Sequence, residues 1–446
     1  MSGSGWQGSS FELADLRPAN GGEMVGRHEG RAVFVRGALP GERVRVRVTE
    51  DRAAAYCRAT VTDVLAAAPT RIEPRCAAAA SGAGCCDLSF VSDAGAAQIK
   101  SQVLHDVLTR IGGLSEQRCH ELIAPLSILG ESTGWRTRTR LAVDADGNAG
   151  VRAHGSDAVV TVACAQPVDG LLDGIAESDW TPGTELVAVR DDDGRHHVAQ
   201  LQRPHDSRRG SGRGARDRRG RAQQARAASA RRTPRVVIGS SVVCQRVGDQ
   251  EWQLPITSFW QAHTRAPEFY SAAVRRAVTQ LAPAARTAWD LYGGVGVFAA
   301  ALRAQATELE RVVLVESDPA AAGCAQNTFA DDARIIVDRA PVAQRLRDLP
   351  PAQVVICDPP RTGVGAQVVA GICAAAPDLV VHIGCDVATF ARDLRAYASA
   401  GYQPVGITPV DAFPLTHHLE VIAVLRPAHE VGPTTRSGDV TNTTPA

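Results

Sequence analysis

The sequence predicts a multidomain α/β protein. A doubly wound, mainly parallel sheet fills the C-terminal half, preceded by a small all-β barrel and an α+β segment. Three observations carry this reading. From about Val236 to Pro427, apolar strand-like runs alternate with helical stretches, the pattern of a parallel sheet covered on both faces. Residues 11–66 hold several short runs of alternating apolar and polar residues between glycines, as small barrels do. And 446 residues are too many for one ordinary domain.

The barrel is expected over residues 10–68. "GEMVGRHEGRAVFVRGALPGERVRVRV" and "AYCRATVTDVL" supply its strands, and so many short strands in so short a stretch suggest the OB type. Arg31, Arg36 and Arg45 lie along them, as a solvated face or as a groove for nucleic acid. The central segment, 69–201, opens with a helical stretch, "AAQIKSQVLHDVLTRIG". It continues in strands, with Asp144–Gly147 as a hairpin turn. Residues 202–235 are rich in Arg, Gly and Ser, with Asp206 and Asp217 the only acids between Arg203 and Arg235. Without apolar periodicity this stretch is expected as a disordered insertion, either a solvated linker or an electrostatic arm for RNA. The α/β domain is expected over 236–428, with strands in "TAWDLYG", "RVVLVES", "ARIIVD", "AQVVICDPP", "DLVVHIGC" and "LEVIAVL". A disordered tail, 429–446, follows.

Composition excludes several classes. The chain is 44% hydrophobic and 22% charged and has no run of about eighteen apolar residues, so no membrane-spanning helix is expected. The N-terminus shows no secretory pattern, which makes a cytoplasmic location the expectation. Eleven cysteines, odd in number and unevenly spread, argue against a secreted disulfide framework. Net charge is zero, yet Lys100 is the only lysine. Almost all positive charge is therefore arginine, suited to bidentate phosphate contacts and base stacking.

In a doubly wound sheet, ligands bind beyond the carboxyl ends of the strands. There the sequence places Asp290-Leu-Tyr-Gly-Gly-Val-Gly-Val-Phe298, whose glycines let backbone approach a ligand closely. It lacks the G-x-G-x-x-G spacing of a dinucleotide site. Glu316 follows at the next strand end, placed for ribose hydroxyls or, as the plainer alternative, as a helix dipole partner. The fourth strand ends in Asp358-Pro-Pro-Arg361, where two prolines stiffen the exit and hold the carboxylate toward the crevice.

With "DLYGGVGVF", "DPPRTGVG", "GCDVATFARDL", "DAFPLTHHLE", "GWRTRTR", "SFWQAH" and "FVRGALPGERVRV" in this order, the chain resembles the TRAM-domain RNA 5-methyluridine methyltransferases, from about residue 10 to 428. The resemblance implies a Rossmann-like class I methyltransferase domain, preceded by an OB-like (TRAM) barrel and an α+β central domain. It implies S-adenosylmethionine as cofactor, lined by Gln261, Tyr292, Glu316, Asp358 and, on a looser match, Asp338. It implies structured RNA, ribosomal or transfer, as partner; a monomer and no membrane association are expected.

The chemistry fits the residues. Uracil C5 is a poor nucleophile until a thiolate adds to C6, and a base must then remove the C5 proton. One positioned cysteine, one base and a methyl donor in line are required. Cys385 closes "DLVVHIGC" ahead of a helix, whose N-terminus favours thiolate, and the resemblance makes Glu420 the base. His417 and His418 are expected either to orient Glu420 or the target base or, as the plainer reading, to be surface residues. Two departures stand out: Asp386-Val387 where the family has Asn-Pro after the cysteine, and Val297 where many relatives carry a polar residue. Asp386 should raise the thiol's pKa. Two other readings stay open: an RNA-binding protein that has lost catalysis, and a methyltransferase acting on an exocyclic nitrogen, whose Asp/Asn-Pro-Pro-aromatic motif is broken here by Arg361.

Many relatives also carry Cys-x5-Cys-Gly-Gly-Cys and a distant fourth cysteine around a [4Fe-4S] cluster. Cys76, Cys86 and Cys164 align with three of these ligands. The remaining one falls on Ala83, with Cys85 two residues later. Four thiolates are available, and a cluster, a zinc ion and unliganded thiols are all open to them.

Overall fold

A computed structural model describes residues 5–52, 55–202, 234–305 and 308–430. The basic insertion and the C-terminal tail lie almost wholly outside them. Among the described residues no helix is long and apolar enough to cross a membrane.

Six strands between Ser10 and Ala66 form the N-terminal barrel sheet. Strand Arg43–Asp51 shows why: Val44, Val46 and Val48 are buried while Arg43, Arg45 and Arg47 face water, the two-residue period of a half-buried strand. Burying each valine contributes about 1.5–3 kcal/mol. The arginines expected on a binding face are partly engaged within the barrel. Arg31 pairs with Asp51 at 2.5 Å and lies over Trp6, and Arg45 pairs with Glu12 at 3.1 Å. Arg36 is half-buried beside strand neighbours.

The central sheet runs Val159–Val160, Ala149–Arg152, Arg138–Val143, Glu185–Arg190, His196–Leu201, Pro234–Ile238. The expected hairpin turn is present: Asp144 Oδ1 accepts from the amides of Asp146 and Asn148 at 2.9 and 2.8 Å. Strand Pro234–Ile238 pairs with His196–Leu201 across the basic insertion, with Leu201 opposite Pro234. The last strand of the central sheet thus reaches past residue 236, where sequence reading opens the next domain.

The largest sheet among the described residues has eight strands. Its order is Ile335–Arg339, Arg311–Glu316, Thr287–Leu291, Val354–Cys357, Leu379–Gly384, Glu420–Pro427, Tyr402–Asp411, Ser127–Ile128. The first five are parallel and Glu420–Pro427 runs against them. Alternate residues feed two cores. Ala288, Val312, Leu314, Ile356 and Val381 join helices Ala266–Leu281 and Val297–Gln305 on one face. Trp289, Leu291, Val313, Val355 and Val380 join Ala366–Ala374 and Val387–Ser399 on the other. Burial on both faces explains why these strands read as near-continuous apolar runs.

Two elements cross the expected boundaries. Helix Asp93–Val107, continued by the π-turn Leu108–Gly112, packs Leu104, Val107 and Leu108 into the second core. Strand Ser127–Ile128 extends the sheet edge. Strand Tyr402–Asp411 has no counterpart among the sequence-expected strands. Its Pro404, Gly406 and Pro409 look like loop, yet proline is tolerated near a sheet edge, and the register shifts between Pro404 and Gly406.

Candidate active site

The strand ends gather the expected residues on one edge of the sheet. Tyr292 follows Thr287–Leu291, Glu316 ends its strand, Asp358 follows Val354–Cys357 and Cys385 follows Leu379–Gly384. Asp338 lies in the outermost strand. Gln261 is half-buried in the approach to helix Ala266–Leu281, whose neighbour Ala262 accepts from Thr137 N at 2.8 Å.

The glycine loop is built for close approach. Tyr292 has φ 60° and Gly294 φ 56°, and a non-glycine residue in this region stores strain of the kind found at ligand sites. A Cβ on Gly293 would meet Leu314 at 2.7 Å. Glu316 ties the loop to its own strand end: Oε2 accepts from Gly294 N at 3.0 Å and Oε1 from Asp318 N at 2.6 Å. Asp290, fully buried, accepts from Ala299 N at 3.0 Å, and burial pushes its carboxyl up to about 8. Asp338 is engaged differently, in an ion pair with Arg345 at 2.5 Å.

Cys385 and Glu420 come together through strand register. Gly384, just before Cys385, pairs antiparallel with Val421, just after Glu420, so the register brings both residues to the same strand end, near enough for Glu420 to act electrostatically on the thiol. Asp358 acts on both electrostatically. Burial first, then Glu420 and Asp358, push the Cys385 thiol up to about 12, with Arg361 opposing. Burial and Asp358 push Glu420 up to about 8, again against Arg361. Burial alone raises Asp358 to about 7. Three acids crowded out of water with one guanidinium nearby form a site that favours an added positive charge.

The expected influence of Asp386 takes a particular form. Its side chain caps helix Val387–Ser399, accepting from Thr389 N at 2.9 Å. The acid thus occupies the helix end that was expected to favour thiolate, and it raises the Cys385 thiol less than burial, Glu420 or Asp358 does.

Several neighbours escaped sequence reading. Tyr270 is buried in helix Ala266–Leu281, with no hydrogen-bond partner for its hydroxyl. Glu420, Asp358 and Cys385 all act on that hydroxyl electrostatically. Lys100, 2% exposed, reaches from helix Asp93–Val107 to Asp411 at 2.6 Å and to the Phe413 carbonyl at 3.2 Å. It anchors the start of the loop leading to Glu420. His417 and His418 are half-buried and not surface groups. His417 bonds to Asp87 through both backbone and ring. His418 sits 3.4 Å from Arg361, and burial lowers its pKa to about 3. A lone tyrosine or lysine in an amphipathic helix gives no signal for such roles. The exception is rarity: Lys100 is the one lysine in an arginine-rich chain.

A second assembly lies beside this loop. Cys76, Cys85, Cys86 and Cys164 bring their sulfurs within 4.8 Å of one another. Asp87, next in the chain, holds His417, and Leu88 N donates to the Leu415 carbonyl at 2.9 Å.

Numbered along the chain, the seven main strands of the eight-stranded sheet lie in the order 3-2-1-4-5-7-6. With crevice residues at the strand ends and a barrel in front, this is a doubly wound α/β architecture of the kind that the resemblance to class I methyltransferases implies. Comparison with known proteins agrees. Residues 14–62 match the TRAM domain. An uncharacterized RNA methyltransferase of Corynebacterium glutamicum is 40% identical over 428 residues, covering 94% of this chain and 97% of that one. Another from Corynebacterium efficiens is 39% identical over 433 residues, covering 94% and 95%. The chain belongs to the TRAM-domain RNA methyltransferases. Among solved structures, the Pyrococcus abyssi tRNA (uracil-54, C5)-methyltransferase in complex with S-adenosyl-L-homocysteine shares the fold. Its TM-score is 0.64 at 18% identity, over 92% of this chain and 99% of that one.

Proposed function

We propose that this protein methylates C5 of a uridine in structured RNA, with S-adenosylmethionine as methyl donor. What supports the reading is the convergence of Cys385 and Glu420 at one strand end, with Asp358 and Arg361 acting electrostatically on both. A nitrogen methyltransferase needs no thiol near a buried carboxylate; C5 chemistry needs both.

Cys385 adds as thiolate to uracil C6, and the electron pair displaced toward O4 makes C5 nucleophilic. C5 takes the methyl group, and the thioether product leaves. Glu420 then removes the C5 proton, the C5=C6 bond re-forms and the sulfur of Cys385 departs. Gln261, Tyr292, Glu316, Asp338 and Asp358 are proposed to line the donor site, with Asp338 engaged through Arg345. The methyl donor is a sulfonium cation. Held by the residues lining this crevice, its positive charge would lower the pKa of Asp358, Glu420 and Cys385 and so favour the thiolate. This replaces the activation that Asp386 removes from the helix end. The RNA is held by phosphate and 2′-OH contacts with its target base unstacked.

Mapping 5-methyluridine by mass spectrometry in tRNA and rRNA from a deletion strain, with and without the restored gene, tests the reading. One position should lose its methyl group and regain it. Unchanged methylation throughout both RNA pools would sink the assignment.

A further inference from the structure

The four-cysteine assembly departs from the family pattern twice, once in sequence and once in geometry. In sequence, the position of the second cluster ligand is Ala83. It is buried, has no donor atom and is fixed by a backbone bridge to Ala153. The fourth thiol comes from Cys85, directly adjacent to Cys86. In geometry, Cys76 lies 3.9 Å from both Cys85 and Cys164, and Cys86 lies 3.6 Å from Cys164, sulfur to sulfur.

These spacings discriminate between metal groups. Four sulfurs each about 2.3 Å from one ion at tetrahedral angles stand about 3.8 Å apart. In a [4Fe-4S] cluster each thiolate binds a different iron, and the inorganic core between them forces the sulfurs much wider. The cysteines here surround a point rather than a cube. Widening the set would require moving Cys76 and Cys86, both buried to within 1%, and parting Leu415 from the apolar cluster it forms with them.

The surroundings suit a compact anionic centre. Arg136 is near enough to Cys164, Cys86 and Cys85 to interact electrostatically with all three, and it donates to Gln166 Oε1 at 2.9 Å. Gln166 in turn donates to the Cys85 carbonyl at 3.1 Å. A divalent ion in four thiolates leaves two negative charges, which a neighbouring guanidinium offsets.

We propose that Cys76, Cys85, Cys86 and Cys164 hold one tetrahedral zinc ion in place of an iron–sulfur cluster. The centre is a closed structural site, all four positions being protein thiolates. Its output is mechanical: Asp87 and Leu88 grip His417 and Leu415, so the ion fixes the middle of the loop between Asp411 and Glu420, while Lys100 holds the start of that loop.

The test uses the full chain, expressed with both iron and zinc supplied and purified without oxygen, and its readout is independent of methyl transfer. Elemental and sulfide analysis should give about one zinc per chain, a colourless protein and neither iron nor acid-labile sulfide. Exchange with cobalt(II) should produce the visible bands of a tetrahedral cobalt thiolate. Cys85→Ser should lose most of the bound zinc. A brown protein carrying about four irons and four sulfides overturns the proposal. So does a protein with no metal, or full zinc retention in Cys85→Ser.

Discussion

Cys385 lies near Glu420, where the loop from Asp411 ends, and the four-cysteine set packs against Leu415 within that loop; the contrast between them is instructive. Cys385 is a single half-buried thiol among carboxylates, and its neighbours push its proton affinity up. The other four thiols share one small space beside an arginine. A thiol kept protonated until a cation arrives suits a reaction step, because it is harmless when idle. Thiols packed against one another suit a permanent ion. The same residue type serves chemistry or architecture according to the charge around it and the number of its companions.

The sharpest way to break this comparison is Cys385→Ala. Turnover should fall by at least about 10⁴-fold while RNA binding and bound metal stay unchanged; measurable methyl transfer would make Cys385 as structural as the others. Glu420→Gln should slow turnover by about 10²–10⁴-fold and accumulate a covalent RNA adduct at Cys385, visible as a shifted band on a denaturing gel. A fast variant without adduct would remove Glu420 from the proton step.

A pH series sharpens the electrostatic half. In the free protein the pKa of Glu420 stands at about 8 and that of the Cys385 thiol at about 12, so kcat/KM should rise with pH through 8 and keep rising above it as more thiolate forms. In Glu420→Gln the component near 8 should vanish and the rise that belongs to Cys385 should remain. Stability should move the other way. A carboxyl raised from 4.5 to about 8 keeps its proton in the folded state while the unfolded chain has lost it. The free protein therefore loses stability as pH rises between those values. Thermal melts with S-adenosylmethionine should show a stabilisation that grows over the same window. A stabilisation independent of pH would refute the coupling.

Smaller effects probe the supports. Lys100→Met strands Asp411 in a buried position and should cost about 3–5 kcal/mol in urea unfolding. Tyr270→Phe removes a buried hydroxyl with no partner and should stabilise the free protein by about 1 kcal/mol. A simultaneous fall in kcat would show that the hydroxyl meets substrate.

Much of this was readable from residues alone, and the exceptions have physical causes. The parallel strands were legible because burial on both faces makes them apolar runs bounded by glycine and acid. Tyr402–Asp411 was not, because prolines and a bulge disguise an outlying strand. The strand-end residues were legible through motif order. Tyr270 was not, since nothing in the local sequence distinguishes a core tyrosine from one brought near Asp358 and Glu420, acids far along the chain. The four cysteines were legible as a set, but which metal they suit depends on sulfur spacing, a three-dimensional quantity. Asp386 was read as a perturbing charge. Its helix-capping role could have been seen in Asp386-Val-Ala-Thr389, with an acid ahead of a helical run.

Lys100 has one more consequence. A protease specific for lysine has a single peptide bond to cut in this entire chain, and that bond lies inside helix Asp93–Val107 beside a buried ion pair. Cleavage into two fragments can occur only from molecules in which this helix has opened. The protein therefore contains its own reporter of local opening, read on an ordinary gel as the decay of one band into two.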